Sequence, residues 1–437
     1  MDHRRRRVLV ACGAAAFGLA GCLGDNAGEP TASTRRRTPA DETDTTSQSP
    51  PGGPTTSPDE PPTNDRTPAG PARTRWHVPT EGTPQRPLVA DGTCYLGTGK
   101  RYDQDEPDDA ALLAVDESGT VLWREHTGQP YVRVVAVSDG VAYAISGDTQ
   151  GPHGEDYRLH AFDATSGKRH WVWAPQLSYK FFEFLGVRNG TAFVGTHDDA
   201  LEGAGESVHA IADGAADWRQ STGDVMGGTL VGDTVVVDHA GGIDAVAAGD
   251  GTERWTYDVE DYGGNEVTGF GDRVLVRDDG LHALDAREGS ERWTIDDWTV
   301  TNWHVESDTA YAGGERVVAL DRSGSPRWTY EAGGLPTAVG TDDSIVGVST
   351  HELFILDRPT GEERWRVDVD TEMPSPGGIV NGRLAYGTRE GGVVAVDAAT
   401  GDAAWSWRSN AGLVTPAVAG QTLVVGRADG GLWGLAP

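Results

Sequence analysis

The chain has 437 residues, with 67 Asp and Glu against 36 Lys and Arg for a formal charge of −31. That is enough chain for one or two domains with a large core. The charge argues against nucleic-acid or anionic-membrane binding, which need clustered cations. Of three cysteines, Cys12 and Cys22 fall in an N-terminal apolar stretch. Only Cys94 is left for the folded part, so a disulfide-stapled scaffold, a Cys-rich zinc site and a c-type haem motif are all excluded.

Residues 1–21 read as an export signal. Arg4–Arg7 supply the charged start and Val8–Gly21 a 14-residue apolar run, short for a hydrocarbon core of about 30 Å. Arg6-Arg7-Val8-Leu9-Val10 fits the twin-arginine pattern used by proteins that fold before export. Leu19-Ala20-Gly21-Cys22 resembles a lipobox, which makes the Cys22 thiol the acylation site; a plain signal peptide ending near Gly21 is the other reading. Residues 22–73 are expected to be a tether. No aromatic residue occurs between Asp25 and Arg75, and Thr, Ser, Pro and acidic residues dominate. Such a segment buries too little apolar area to offset the entropy of ordering. The expected location is therefore extracytoplasmic, on the outer face of the cell membrane. Only Lys100, Lys168 and Lys180 are lysines, and this acidic, arginine-over-lysine make-up resembles proteins of salt-loving archaea.

Residues 74–437 are organised by one repeat: an apolar pair or triplet, often closed by Asp, then a turn with Gly, then Trp. It runs through Leu113-Ala114-Val115-Asp116…Gly119…Trp123 and His160-Ala161-Phe162-Asp163…Gly167…Trp171. Looser copies end at Trp218 and Trp255, and closer ones at Trp293, Trp328, Trp365 and Trp405. Two further apolar runs lie between copies, giving a four-stranded antiparallel unit. One unit cannot cover its own faces, but a ring of units can. At the ends, Trp76 reads as an outermost strand lacking its three partners, and Leu432–Ala436 closes a set of three strands lacking a fourth. Joining them predicts a composite blade and nine modules in all.

The pattern apolar-Ala-apolar-Asp-x-x-x-Gly-x-x-x-Trp resembles the pyrroloquinoline-quinone propeller repeat, over roughly residues 76–437. The resemblance implies an all-β propeller, usually of eight blades. It also implies that Trp123, Trp171, Trp218, Trp255, Trp293, Trp328, Trp365 and Trp405 pack on the Ala and Gly of the next blade. The family includes quinoprotein dehydrogenases and the BamB-type outer-membrane assembly lipoprotein. The dehydrogenases hold their quinone over a disulfide of adjacent cysteines beside a bound metal. This sequence has no adjacent cysteine pair, so no quinone cofactor is expected.

No nucleophile-elbow, zincin or Walker sequence is present. His160, His209 and His282 share one repeat position, which points to packing between blades. Asp103, Asp105, Asp108 and Asp109 offer the oxygen ligands that calcium takes, without an EF-hand's glycine and closing Glu. Asn189-Gly190-Thr191 is a glycosylation sequon in an expected turn. Successive Trp residues from Trp76 lie 47, 48, 47, 37, 38, 35, 37 and 40 residues apart, so the first three units carry the excess. It is placed at Gly99–Ala110, Gly147–Arg158 and Thr196–Ser207, as three loops on one face. Repeat proteins put such insertions on a binding face. Trp173, Tyr179, Phe181, Phe182, Tyr262, Trp298 and Trp303 in the connecting segments are the expected aromatic anchors, with Tyr179, Phe181 and Phe182 partly exposed. The function expected is a non-catalytic cell-surface scaffold for an unidentified protein partner. The alternatives are a binder of a small ligand or glycan in the central funnel, or a quinone-dependent dehydrogenase.

Overall fold

The computed structural model describes Leu9–Val10 and most of residues 73–436. The longest stretches left out are 100–109, 149–154, 176–180, 198–205, 260–266 and 338–342. Cys22, the tether, Tyr179, Tyr262 and the aspartates at 103, 105, 108 and 109 therefore lie outside the described residues. Leu9 and Val10 pair with Val137 and Ala136.

Among the described residues the chain forms nine antiparallel four-stranded blades, with strands a to d from the centre outward. Blade 1 comprises Leu88–Ala90, Thr93–Gly99, Ala111–Val115 and Val121–His126. Blade 2 comprises Tyr131–Ser138, Val141–Asp148, Glu155–Asp163 and Arg169–Trp173. Blades 3 to 8 follow in chain order, starting at Phe181, Val225, Val267, Val300, Leu335 and Ser375. Blade 9 is composite, with Ala417–Ala419, Thr422–Gly426 and Leu432–Ala436 from the end of the chain and Arg73–Val78 as its outer strand. Trp76 pairs with Gly434 and Val78 with Leu432, which is the clasp the sequence predicts. Successive a strands lie side by side, and the a strand of blade 9 meets that of blade 1.

Strands b and c are largely apolar because alternate residues face opposite neighbours and both neighbours bury them. In blade 1, Leu112 and Ala114 pack toward blade 2 with Val132, Val134 and Phe162. The intervening Ala111, Leu113 and Val115 pack toward blade 9 with Val78 and Leu432. Each of the nine interfaces carries its own apolar cluster in this manner. No single central core exists; the ring is held by its seams.

A second device fastens the rim. Each repeat aspartate caps the turn between strands c and d: Asp163 Oδ1 accepts from the Thr165 and Ser166 amides, and Asp285 Oδ1 from those of Arg287 and Glu288. The Ser166 hydroxyl, with these amides behind it, holds Asp163 below the usual carboxylate range; at Asp285 the Arg292 guanidinium comes first, with the same sense. The turn then presents a glycine with positive φ, under the Trp of the preceding blade. Trp255 Nε1 donates to the Ala286 carbonyl at 3.1 Å, and a Cβ on Gly289 would stand 2.5 Å from the Trp255 ring. The same bond joins Trp76 to Glu117, Trp123 to Ala164, Trp218 to Ala248, Trp293 to Arg322, Trp328 to Arg358 and Trp365 to Ala398.

Two of the repeat tryptophans depart from this pattern. Trp171 lies over Gly214, where the turn is reduced to Asp213-Gly214. Trp405 is buried with its Nε1 unpaired among the described residues. Strands c and d of blade 9 are opposite ends of the chain, so no turn exists to receive it.

Candidate functional site

Strand direction alternates within every blade, so all b–c connections emerge at the same end as the links between blades. The opposite end carries the capped c–d turns, shortened to Asp213-Gly214 in blade 3, and tight a–b turns such as Asp139-Gly140 and Asn189-Gly190, whose paired positive φ values fit a type I′ hairpin. Asn189 of the sequon is exposed there. The longest b–c connections lie at the other face. Strands b and c are separated there from Gly99 to Ala111 in blade 1, Asp148 to Glu155 in blade 2 and His197 to Ser207 in blade 3. The corresponding gap is only His239 to Gly242 in blade 4 and Gly314 to Val317 in blade 6. Three neighbouring blades thus carry enlarged connections toward one face. In blade 2 part of the expected loop is strand: Glu155 pairs with Asp148 and Arg158 with Ser146. The extension is held by Tyr157, whose ring lies over Gly147 and against Phe182.

The aromatic anchors require correction. Phe182 is 2% exposed, Trp173 7% and Trp298 5%, so they do not stand out on the face as expected. Trp173 and Phe182 sit 5.4 Å apart in the seam between blades 2 and 3, with His209 5.2 Å from Trp173. Trp298 fills the seam between blades 5 and 6 beneath the Arg316 guanidinium, and Trp303 is half-buried beside it. Phe181 opens the a strand of blade 3; its side chain lies outside the description. The physical reason is common to all. A large ring next to a ring-shaped core buries area along a seam at roughly 25 cal/mol per Å² before any partner is available.

The sequence reading missed a polar group at the inner ends of blades 2 and 3. Tyr131 and Arg133 come from the a strand of blade 2, and Glu183 from that of blade 3. Arg133 Nη2 donates to the Phe182 carbonyl at 3.4 Å. Burial pushes the Glu183 carboxyl above its ordinary range, with Arg133 pulling the other way. Burial likewise raises the Tyr131 phenol, and Tyr131 pairs with Gly99 at the root of the blade 1 connection. The available signal was a charge set within an otherwise apolar inner strand, as in Phe182-Glu183-Phe184.

The histidines behave as packing groups. His160 is fully buried with Nε2 2.8 Å from Ser146 Oγ, and burial pushes it down to about 3. His209 is pushed down to about 4 for the same reason, and His282 bonds Glu291 and Tyr257. Cys94 is fully buried in the seam between blades 9 and 1, and its thiol is pushed up to about 12. Among the described residues no three His, Cys, Asp or Glu side chains gather closely enough to share a metal ion.

Comparison with known proteins agrees with this architecture. The family model described as outer membrane protein assembly factor BamB matches residues 69–196, 204–340 and 349–437. A curated outer membrane protein assembly factor BamB from Burkholderia pseudomallei is 32% identical over 110 residues, 24% of this chain; the match spans 29% of that relative's length. BamB from Moraxella catarrhalis is a similar solved structure, with 20% identity, a TM-score of 0.49, and coverage of 70% of this chain and 94% of that one. A quinohemoprotein alcohol dehydrogenase from Pseudomonas putida aligns with 14% identity and a TM-score of 0.46, over 86% of this chain and 77% of its own. With the family model matched across all three segments of the ring, the chain belongs to the family of the outer membrane protein assembly factor BamB.

Proposed function

We propose that this chain is a non-catalytic scaffold for protein interaction or assembly, held outside the cytoplasm by a lipid on Cys22 and a tether over residues 22–73. The observation that carries it is the family match across the whole ring, joined to a propeller whose enlarged b–c connections fall on the neighbouring blades 1–3. The repeat residues that a catalytic reading would need, Trp, Asp and His, are absorbed in seams and turn caps. The outer-membrane setting of the relatives is not carried over, since the acidic, lysine-poor composition resembles that of archaeal salt-adapted proteins. Calcium at Asp103, Asp105, Asp108 and Asp109 belongs to the same reading, as a brace for the blade 1 connection.

A second reading, a small polar ligand in the central funnel, is favoured by Tyr131, Arg133 and Glu183 at the inner ends of blades 2 and 3. Co-purification from the native membrane fraction separates the two. A stoichiometric protein partner supports the scaffold, whereas a retained small molecule with no partner overturns it in favour of the funnel. Intact-mass analysis of the same preparation tests the anchor, which fails if Cys22 carries no lipid.

A further inference from the structure

The outer strand of every blade is an open edge, with backbone donors and acceptors free to pair with another strand. Native proteins guard such edges with charge. In three blades that guard takes one form. Blades 4, 5 and 7 begin their outer strands Glu-Arg-Trp, at Glu253, Glu291 and Glu363. The arginine before the Trp is tied to a carboxylate: Arg254 to Asp233 at 2.7 Å, Arg292 to Asp285 at 2.6 Å and Arg364 to Asp357 at 2.8 Å. The residue after the Trp is Thr256 in blade 4 and Thr294 in blade 5.

Blade 2 breaks the pattern at every one of these positions. Its outer strand Arg169–Trp173 reads Arg-His-Trp-Val-Trp and follows Lys168. Where the others have Glu it has Arg169, where they have a paired arginine it has His170, and where blades 4 and 5 have Thr it has Val172. Trp171 and Trp173 turn inward against Tyr143 and Phe182. The alternation of the strand leaves His170 and Val172 on the other side, and Val172 is 42% exposed. Lys168, Arg169 and His170 are all exposed, and Arg169 and His170 have no ion pair among the described residues. A strand with basic residues around an aliphatic one is thus set on the rim of a chain whose formal charge is −31.

We infer that the outer edge of blade 2 is a docking edge for an extended segment of a partner protein, which joins the blade as a fifth strand. The edge specifies that segment's chemistry. Backbone hydrogen bonds to the open edge supply affinity, and alternate side chains supply specificity. An aliphatic residue is required beside Val172, and carboxylates are required opposite Lys168 and Arg169. The chain's formal charge of −31 repels such a segment overall, and a basic edge draws its approach. The inference rests on the scaffold reading and names the surface through which it acts.

The test uses the full chain and a fluorescein-labelled hexapeptide alternating Glu and Val, with blocked ends, followed by fluorescence anisotropy in one fixed buffer. Val172→Lys restores the guard, and Arg169→Glu restores the charge found in blades 4, 5 and 7; each is expected to weaken binding tenfold or more. Thr294→Lys at the equivalent site of blade 5 is expected to leave it within twofold. N-methylation of alternate peptide amides is expected to abolish binding, and hydrogen exchange is expected to show protection over residues 169–173. Unchanged thermal midpoints for the surface variants exclude misfolding as the cause. Equal binding by Val172→Lys and Thr294→Lys, or protection on another blade, overturns the inference. So does a self-association in sedimentation that Val172→Lys abolishes, because the occupant is then a second copy. If a native partner co-purifies equally with wild type and Val172→Lys, the docking edge is wrong while the scaffold stands; absence of any native partner strikes the scaffold itself.

Discussion

Two alanine substitutions separate the rim staple from ordinary turn geometry. Gly140 and Gly289 both hold positive φ, 79° and 69°. A Cβ on Gly140 meets nothing within 4 Å, whereas on Gly289 it stands 2.5 and 2.6 Å from the Trp255 ring. Gly140→Ala therefore costs only the left-handed backbone penalty, about 1–2 kcal/mol. Gly289→Ala adds the displacement of a ring that is 8% exposed and the loss of its Nε1 bond to the Ala286 carbonyl. A buried donor left unsatisfied adds about 1–3 kcal/mol, so the second variant is expected to cost about 2 kcal/mol more than the first. Urea unfolding reads this as a midpoint lower by roughly 0.5–1 M, taking a slope of about 3 kcal/mol/M for a chain of this size. In a Trp255→Ala background the clash has no counterpart, so the extra cost of Gly289→Ala is expected to vanish. Equal midpoint shifts for Gly140→Ala and Gly289→Ala, or an extra cost that survives Trp255→Ala, would refute the staple as a source of stability.

Deleting Arg73–Val78 opens the composite blade, removes the burial of Val78 and Trp76, and is expected to cost about 3–5 kcal/mol; a thermal midpoint unchanged by the deletion contradicts the closure. Acid linkage follows from His160, whose folded value is depressed to about 3. The unfolded imidazole takes a proton below about 6.5 and the folded one does not, so stability falls with pH through that window by about 1.4 kcal/mol per unit. His160→Gln is expected to flatten the dependence of urea midpoints between pH 6 and 4, and an unaltered slope counts against a neutral buried imidazole. Cys94, fully buried with its thiol pushed up to about 12, is expected to ignore iodoacetamide at pH 8 until urea unfolds the ring; labelling of the native protein refutes that placement.

The repeat carried most of the fold because each copy is self-contained evidence. Leu113-Ala114-Val115-Asp116…Gly119…Trp123 encodes a strand, a capped turn and a staple within eleven residues. The copy number and the two orphan ends then demanded a clasp, since an open blade leaves edge groups unpaired and a face uncovered. The sequence could not say which aromatic residues would be buried. Trp173, Phe182 and Trp298 occupy connections in sequence but seams in space, because whether a ring faces solvent depends on the neighbouring blade's register. Nor could it bring the Arg133 charge within reach of Glu183, which lies on a different blade and comes near only when the a strands converge on the centre. The exposure of Val172 was hidden for the same reason: the alternation within Arg169–Trp173 was legible, but which side carried the next blade was decided by the closed ring.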